Sequence, residues 1–516
     1  MLHNPLLPGF YPDPSICRVG DDFYIVTSSF SYFPGVPLFH SRDLVHWEQL
    51  GHCLSRPEQL PLDWQSMSGG VYAPTIRWHD GLFYMVTTNV SGVGNFYVTA
   101  KDPAGPWSDL HVIRGAEGID PSFFWDEDGT CYMTATTDWA QHDPGVWVAQ
   151  VDLEKDCIVG EKRIAWRGAL VNAWSPEAPH IYKKDGWYYL LIAEGGTEDY
   201  HAVTIARSRS PLGPYEGYAG NPILTHRHLG LDYPICNVGH ADLVQLADGA
   251  WYMVALGSRL IGGYHKNMGR ETFIAPVDWS GEWPVVSPGT GRIEWSYPAP
   301  ALPQHPFAPV DADDFSAPCW NTLGTPAKDT FTLADGVLTL RSDRDWLVPD
   351  DLPRMPAPNG CPGFYGRRQQ HMTFSAEVTV VLPERGEAGL MLLQNGFNHL
   401  RVGVEKTAEG VVVRAVRSEK CGKPDYLHPR EYPRHVEVLW TGSAQAESIR
   451  LGIAACGQDH CLLVNGESVA RADGGFLGSE TAGGFIGAYV GCYTTGAGAE
   501  AAFRDFRYTG EEEKHA

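Results

Sequence analysis

Three carboxylates in the first half of the chain sit in similar settings: Asp13 in FYPDPSI, Asp120 in GIDPSFF and Glu177 in SPEAPHI. Each is followed within two residues by a proline. Proline fixes its own φ, donates no hydrogen bond and turns the residue before it toward extended backbone. Asp13, between Pro12 and Pro14, is therefore read as an acid held stiffly at the mouth of an apolar strand. One Asp beside Pro is ordinary turn chemistry, and an acid opening a strand can simply cap backbone amides. Three acids gathered at one place are poorly explained that way, because like charges repel and raise one another's pKa. Carboxyl groups that face one pocket can divide their work: one protonates a leaving oxygen, a second activates water or attacks, and a third tunes the first. With 17 Trp, 23 Tyr and 20 Phe available to stack on sugar faces, that chemistry points to glycoside hydrolysis. Phe30, Phe33 and Tyr72 are close enough in sequence to serve as aromatic sugar contacts.

Whether the acids meet depends on the elements that carry them, and these repeat. DPSICRVGDDFYIVT (13–27), APTIRWHDGLFYMVT (73–87), DPSFFWDEDGTCYMTA (120–135), APHIYKKDGWYYLLI (178–192) and ADLVQLADGAWYMVA (241–255) share one plan. A short apolar run meets an Asp-Gly or Asp-Asp turn, then a run that opens on aromatics, as a β-hairpin does. The tyrosines at 24, 84, 132, 189 and 252 are 60, 48, 57 and 63 residues apart. FHSRDLVHW, YVTAKDPAGPW, VAQVDLEKDCI, TIARSRSPLGPY and FIAPVDWSGEW follow as third strands with polar turns. Four antiparallel strands repeated at this length make propeller blades. An all-β chain with a five-bladed β-propeller over residues 4–295 is expected. The Pro-rich stretch 296–309 reads as a linker. Alternating runs such as DTFTLADGVLTLRS and HMTFSAEVTVVL predict a C-terminal β-sandwich over 310–510. In a propeller the innermost strands line the axis, so their equivalent ends converge on one funnel. Here those ends bring Asp13, Tyr72, Asp120, Glu177 and His240 together, 11 or 12 residues before each tyrosine.

Bulk properties narrow the alternatives. A formal charge of −23 over 516 residues argues against nucleic acid, which demands a basic face, and favours a neutral partner. No apolar run approaches the roughly 18 residues of a membrane helix. The segment MLHNPLLPGFYPDPS lacks the basic and apolar regions of a secretory signal. Eleven scattered cysteines suit reduced thiols better than a disulfide framework, so a cytoplasmic location is expected. CGQDHC (456–461) has no second Cys/His pair at zinc spacing and reads as a tight turn. GxSxG, Walker, HExxH and Rossmann patterns are absent, which removes the usual starting points for serine hydrolysis, phosphoryl transfer and hydride transfer.

Taken in order, NPLLPGFYPDPSI, GGVYAPTIRWHDG, GIDPSFFWDEDG, SPEAPHIYKKDGWYYLLIAEGGT, GHADLV and GRET resemble glycoside hydrolase family 43, in its two-domain β-xylosidase and α-L-arabinofuranosidase type. DDFS, WNTLG, YGRRQQHMTF and EAGLMLLQN resemble that type's C-terminal concanavalin-like sandwich. The resemblance implies an inverting exo-glycosidase that releases terminal xylose from β-1,4-xylooligosaccharides and also has α-L-arabinofuranosidase activity. Mainly arabinofuranosidase action on arabinoxylan oligosaccharides is the alternative, since Tyr72-Ala73-Pro74 replaces the Trp-Ala-Pro common in such xylosidases. By the same resemblance Asp13 is the general base, Glu177 the general acid and Asp120 the pKa modulator. Arg270 would bind sugar hydroxyls, and His240 would support the site at the axis. No cofactor is expected to be required, although Ca²⁺ near His240 is compatible with the family. Xylo- and arabinoxylo-oligosaccharides are the expected partners, without nucleic acid or membrane, and a homo-oligomer is left open. A fructosidase would need NDPNG and RDP motifs, which are missing. A non-catalytic sugar-binding propeller would predict a missing acid, yet all three are present. The Gly-rich CYTTGAG (492–498) is the expected stopper by which the sandwich blocks one end of the funnel.

Overall fold

Each copy of the repeated motif folds as an antiparallel hairpin, tightened where needed by left-handed turn residues. Asp80–Gly81 (φ 46° and 82°) and Asp185–Gly186 (φ 51° and 73°) are two such turns. Their paired positive φ values are what a two-residue hairpin of right-handed twist requires. In the computed structural model, which describes all residues except 63–65, 138–143, 172, 344–345, 348–361, 422–433 and 514–516, these hairpins open five four-stranded sheets in chain order. The innermost strands are Ser15–Val19, Thr75–His79, Ser122–Trp125, Glu177–Lys184 and Ile235–Gln245. The protein is thus an all-β chain, a five-bladed propeller joined to a C-terminal domain of two packed sheets. Across the ladders the five tyrosines oppose Cys17, Arg77, Phe124, Tyr182 and Val244. Those residues stand four places after Asp13, Ala73, Asp120, Ala178 and His240, so the sequence repeat is also a repeat in register.

The ladders also hold a feature that proline chemistry mispredicts. Pro12 O accepts from Ser28 N–H at 3.1 Å, yet Ser15 already pairs with Val26. Ile119 O accepts from Thr136 N–H at 3.0 Å, while Ser122 pairs with Thr134. Glu177 pairs with Ala193 and His180 with Leu191, and Gly239 pairs with Leu256 and Ala241 with Ala255. In each case the inner strand carries one residue more than its partner, which is a β-bulge. Asp13, Asp120, Ala178 and His240 absorb the surplus with φ of 56°, 56°, 53° and 44°. The extended geometry expected for Asp13 is therefore incorrect. Ladder bonds on both sides hold the bulge, and Asp and His are among the residues that best tolerate this region.

Two residues further along the inner strands, a buried polar layer seals the axis. Arg77 Nη1 and Nη2 donate to Asp242 Oδ2 and Oδ1 at 2.8 and 3.1 Å. Asp242 also accepts from Ser15 Oγ (2.6 Å), Ile16 N (3.1 Å) and Tyr182 OH (2.5 Å). His180 Nδ1 lies 3.0 Å from Arg77 Nη2 and 3.1 Å from Ser122 Oγ, so all five blades contribute. Burial alone would raise the Asp242 pKa, but Arg77, His180 and these hydrogen bonds hold it well below the usual carboxylate range. Its stabilising contribution is thus present above the unfolded carboxylate pKa and is lost only as pH falls through the depressed folded value. Asp242→Ala should destabilise the propeller by about 3–5 kcal/mol, the cost of breaking a buried pair from one side. Urea unfolding measures this, and a loss below about 1 kcal/mol would contradict the role of the layer.

Two further contacts join the parts of the chain. Leu2–His3 pair with Ser296–Tyr297, so strand pairing reaches into the stretch read as linker. Asn4 reinforces this closure by donating to Ile274 O and Glu294 O at 2.9 and 2.8 Å. The C-terminal domain packs an eight-stranded sheet on a seven-stranded one. Thr373–Val381, in the second of these, alternates half-buried and buried residues along most of its length, as a strand over a core must. The edge of the larger sheet is Tyr32–Phe33, a propeller segment paired with Asn321–Leu323. CGQDHC folds as a hairpin turn, with Cys456 opposite Asp459. Its Gln458 donates across the domain boundary to Ile261 O (2.7 Å) and Asn267 Oδ1 (3.0 Å).

Candidate active site

The bulges turn Asp13, Asp120 and Glu177 toward one another at one end of the axis. Asp13 and Asp120 are buried and Glu177 is half-buried. Asp13 Oδ1 accepts from Arg270 Nη1 at 2.7 Å, and Oδ2 accepts from Ser28 Oγ at 2.6 Å. His240 Nδ1 stands 3.6 Å from Asp13 Oδ1. Burial pushes Asp13 upward, but the Arg270 charge, His240 and the Ser28 hydrogen bond outweigh it and hold the carboxyl below its ordinary range. Asp120 moves the other way: burial and the Asp13 charge raise it, against the Ala178 N–H and Arg270. Glu177 is raised well above the usual value by burial, then by the charges of Asp120 and Asp13, with Arg270 opposing. Asp120 and Glu177 therefore titrate as a pair whose first proton is held tightly. At neutral pH one ionised acid, Asp13, faces a pair that retains a proton.

Aromatic residues wall this centre. Tyr72 has its hydroxyl pushed up to about 12 by burial, against Arg270 and with Asp120, Asp13 and Glu177 adding. It therefore shares the field of all three acids. The Phe30 ring lies 5.1 Å from Tyr72, and the Arg270 guanidinium sits 5.5 Å from the Phe30 ring centre. Phe33, also expected as a sugar contact, belongs elsewhere. Its backbone pairs with Thr322 and its side chain packs with Tyr24, Val26 and Leu54 inside the propeller. Strand alternation after Phe30 and the crossing into the sandwich sheet turn it from the funnel.

Other residues at the site carried no role in the sequence reading. Ser28 anchors Asp13. Thr197, in the AEGGT motif, accepts from Arg270 Nη1 at 3.0 Å. His201, buried, donates from Nδ1 to Asn237 O (2.9 Å), and burial lowers its pKa to about 3, so it is neutral. Phe485 arrives from the sandwich: its carbonyl accepts from Arg270 Nη2 at 3.2 Å, and its ring lies 6.4 Å from Phe30. The sandwich thus reaches the site through Gly484–Phe485–Ile486, which line a cavity with Arg270 and Thr197. The expected stopper, CYTTGAG, instead lies within the sandwich, where Thr495 Oγ1 accepts from Trp346 N–H. Its glycines spelled a loop but could not show which loop faces the funnel.

Calcium does not suit the residues around His240. Asp13 is engaged by Arg270 and Ser28, and Asp242 by Arg77, Tyr182 and Ser15. Among the described residues no group of three or more His, Cys, Asp or Glu is placed to hold a metal ion. An imidazole plus two already paired carboxylates is not a hard-cation cage.

An ionised carboxylate opposite a proton-retaining pair, walled by aromatic rings at the axis of a propeller, is equipment for acid–base cleavage of an acetal. The protein is a glycoside hydrolase acting on O-glycosyl bonds. Residues 2–284 match glycosyl hydrolases family 43, and residues 312–509 match the beta xylosidase C-terminal concanavalin A-like domain; the chain belongs to family 43. It is 41% identical to a xylosidase/arabinosidase of Butyrivibrio fibrisolvens, covering 96% of each chain. It is 39% identical to a non-reducing end alpha-L-arabinofuranosidase of Bacteroides ovatus, covering 96% of this chain and 92% of that one. Among solved structures, a xylan beta-1,4-xylosidase from Bacillus halodurans superposes with a TM-score of 0.87 at 31% identity, over 99% of this chain and 100% of the other.

Proposed function

We propose that the protein is an inverting exo-glycosidase that releases terminal xylose from β-1,4-xylooligosaccharides and also removes α-L-arabinofuranosyl ends. The opposed shifts of Asp13 and Glu177 carry this reading, because they separate base from acid before any substrate is present. Asp13, ionised and fixed by Arg270 and Ser28, takes a proton from the attacking water. Glu177 gives its proton to the leaving oxygen. Asp120 keeps that proton on Glu177 by its charge, and Arg270 with Tyr72 and Phe30 holds the terminal sugar. The dual glycone is supported by one relative named a xylosidase/arabinosidase and another named an alpha-L-arabinofuranosidase. A purely sugar-binding role finds no support, since all three acids are present and arranged for proton transfer.

Proton NMR during hydrolysis of an aryl β-xyloside tests the reading: α-xylose should appear first. β-Xylose as first product would contradict a water-activating role for Asp13. Paired aryl β-xyloside and aryl α-L-arabinofuranoside assays should both show turnover. The basic limb of the pH–rate profile reports loss of the Glu177 proton, and Asp120 raises that pKa. Asp120→Asn should therefore move the basic limb to lower pH. An unmoved or upward-shifted limb would remove Asp120 from its modulating role.

A further inference from the structure

We propose that Trp174 is the stacking platform for the leaving-group sugar, an uncharged pyranose ring; this rests on the exo-glycosidase reading above. Trp174 stands three residues before Glu177 and is 57% exposed. Sugar rings stack on aromatic faces, and an aromatic ring close in the chain to the acid is suited to that task when its backbone is fixed. The backbone here is fixed at both ends of the loop. Glu194, buried, accepts from Ala169 N and Leu170 N at 2.7 and 3.0 Å, and from Thr204 Oγ1 at 2.5 Å. Downstream, Gly195 N donates to Trp174 O at 2.8 Å.

The ring itself is seated by a missing side chain. A Cβ on Gly196 would lie 2.6 Å from Trp174 Cζ2 and 2.9 Å from Cη2, so only glycine lets the indole rest there. The next residue, Thr197, accepts from the Arg270 guanidinium that holds Asp13. One rigid turn, Glu194 to Thr197, therefore couples the base-holding arginine to the aromatic ring that precedes the acid. Tyr200, 66% exposed, has its backbone against Gly195 in the same turn. An exo-enzyme holds the departing sugar on the acid's side of the scissile bond, and Trp174, three residues before Glu177 in the chain, is the exposed aromatic we assign to that side. The apolar face of a pyranose stacks on such a ring, while the chain's net charge of −23 disfavours an anionic leaving group.

The test compares xylobiose, whose departing xylose would touch the platform, with β-D-xylopyranosyl fluoride, whose departing fluoride cannot. For Trp174→Ala the ratio of kcat/KM on xylobiose to that on the fluoride should fall by about 10–50-fold, mostly through KM. Trp174→Phe should keep the ratio within about threefold of the unaltered enzyme, because a ring remains. Gly196→Ala should lower the ratio as Trp174→Ala does, by displacing the indole. Equal losses on both substrates, or an unchanged ratio in Trp174→Ala, would overturn the platform and leave the activity reading standing. Failure of the unaltered enzyme to turn over either substrate would overturn the activity reading and the platform with it.

Discussion

Asp13→Asn stops turnover of xylobiose and of 2,4-dinitrophenyl β-xyloside alike, with losses of about 10⁴ or more, the upper end of what one acid–base group supplies. The amide fits the same space and can still accept from Arg270, so the fold and the sugar site survive. It cannot accept a proton. Water must be deprotonated whatever group departs, so a better leaving group cannot compensate. The depressed Asp13 pKa makes the same point from the other side: the native carboxylate is ionised throughout the neutral range, and activity should fade only as acid protonates it. Steady-state kinetics on both substrates, with circular dichroism to confirm folding, measure this. A variant that recovers most activity on the dinitrophenyl substrate would contradict the assignment.

Glu177→Gln loses about 10²–10⁴ in kcat on xylobiose but less than about tenfold on the dinitrophenyl xyloside. A sugar alkoxide is a poor leaving group and needs the proton that burial, Asp120 and Asp13 keep on Glu177. Dinitrophenolate leaves as a stable anion and does not. Glutamine preserves the shape of the side chain, so the difference between substrates isolates proton donation from binding. The pH profile carries a second signature: the basic limb should flatten in this variant, because the group that sets it is gone.

Much of this site could be read before any coordinates. Five copies of one hairpin, each with a tyrosine 11 or 12 residues after a marked position, placed Asp13, Asp120, Glu177 and His240 at equivalent strand ends. The ladder register keeps Asp13, Asp120 and His240 at one repeat position, four places before the residue opposite each tyrosine, and sets Glu177 one place earlier, next to Ala178. The bulges were not legible. Proline after Asp13 and Asp120 argues for extended backbone, and only hydrogen bonds from Ser28 and Thr136 reveal that a surplus residue forces positive φ. Phe33 shows the limit of proximity in sequence: three residues from Phe30, it turns into the propeller interior and its backbone joins a sheet of the other domain. Phe485 shows the converse. Nothing in the alternating pattern of the sandwich segment marks Phe485, yet its carbonyl accepts from Arg270 of the propeller. Contacts made between domains leave no periodicity in either one.

The division of labour between Asp13 and Glu177 is tested most directly by one series of aryl β-xylosides of graded leaving-group pKa. Log kcat/KM is measured for the unaltered enzyme, Glu177→Gln and Asp13→Asn. Glu177→Gln should show a steep dependence, falling as the leaving group becomes more basic, whereas Asp13→Asn should lie far below the unaltered enzyme by a nearly constant amount. Parallel slopes for the two variants would contradict the assignment of acid and base.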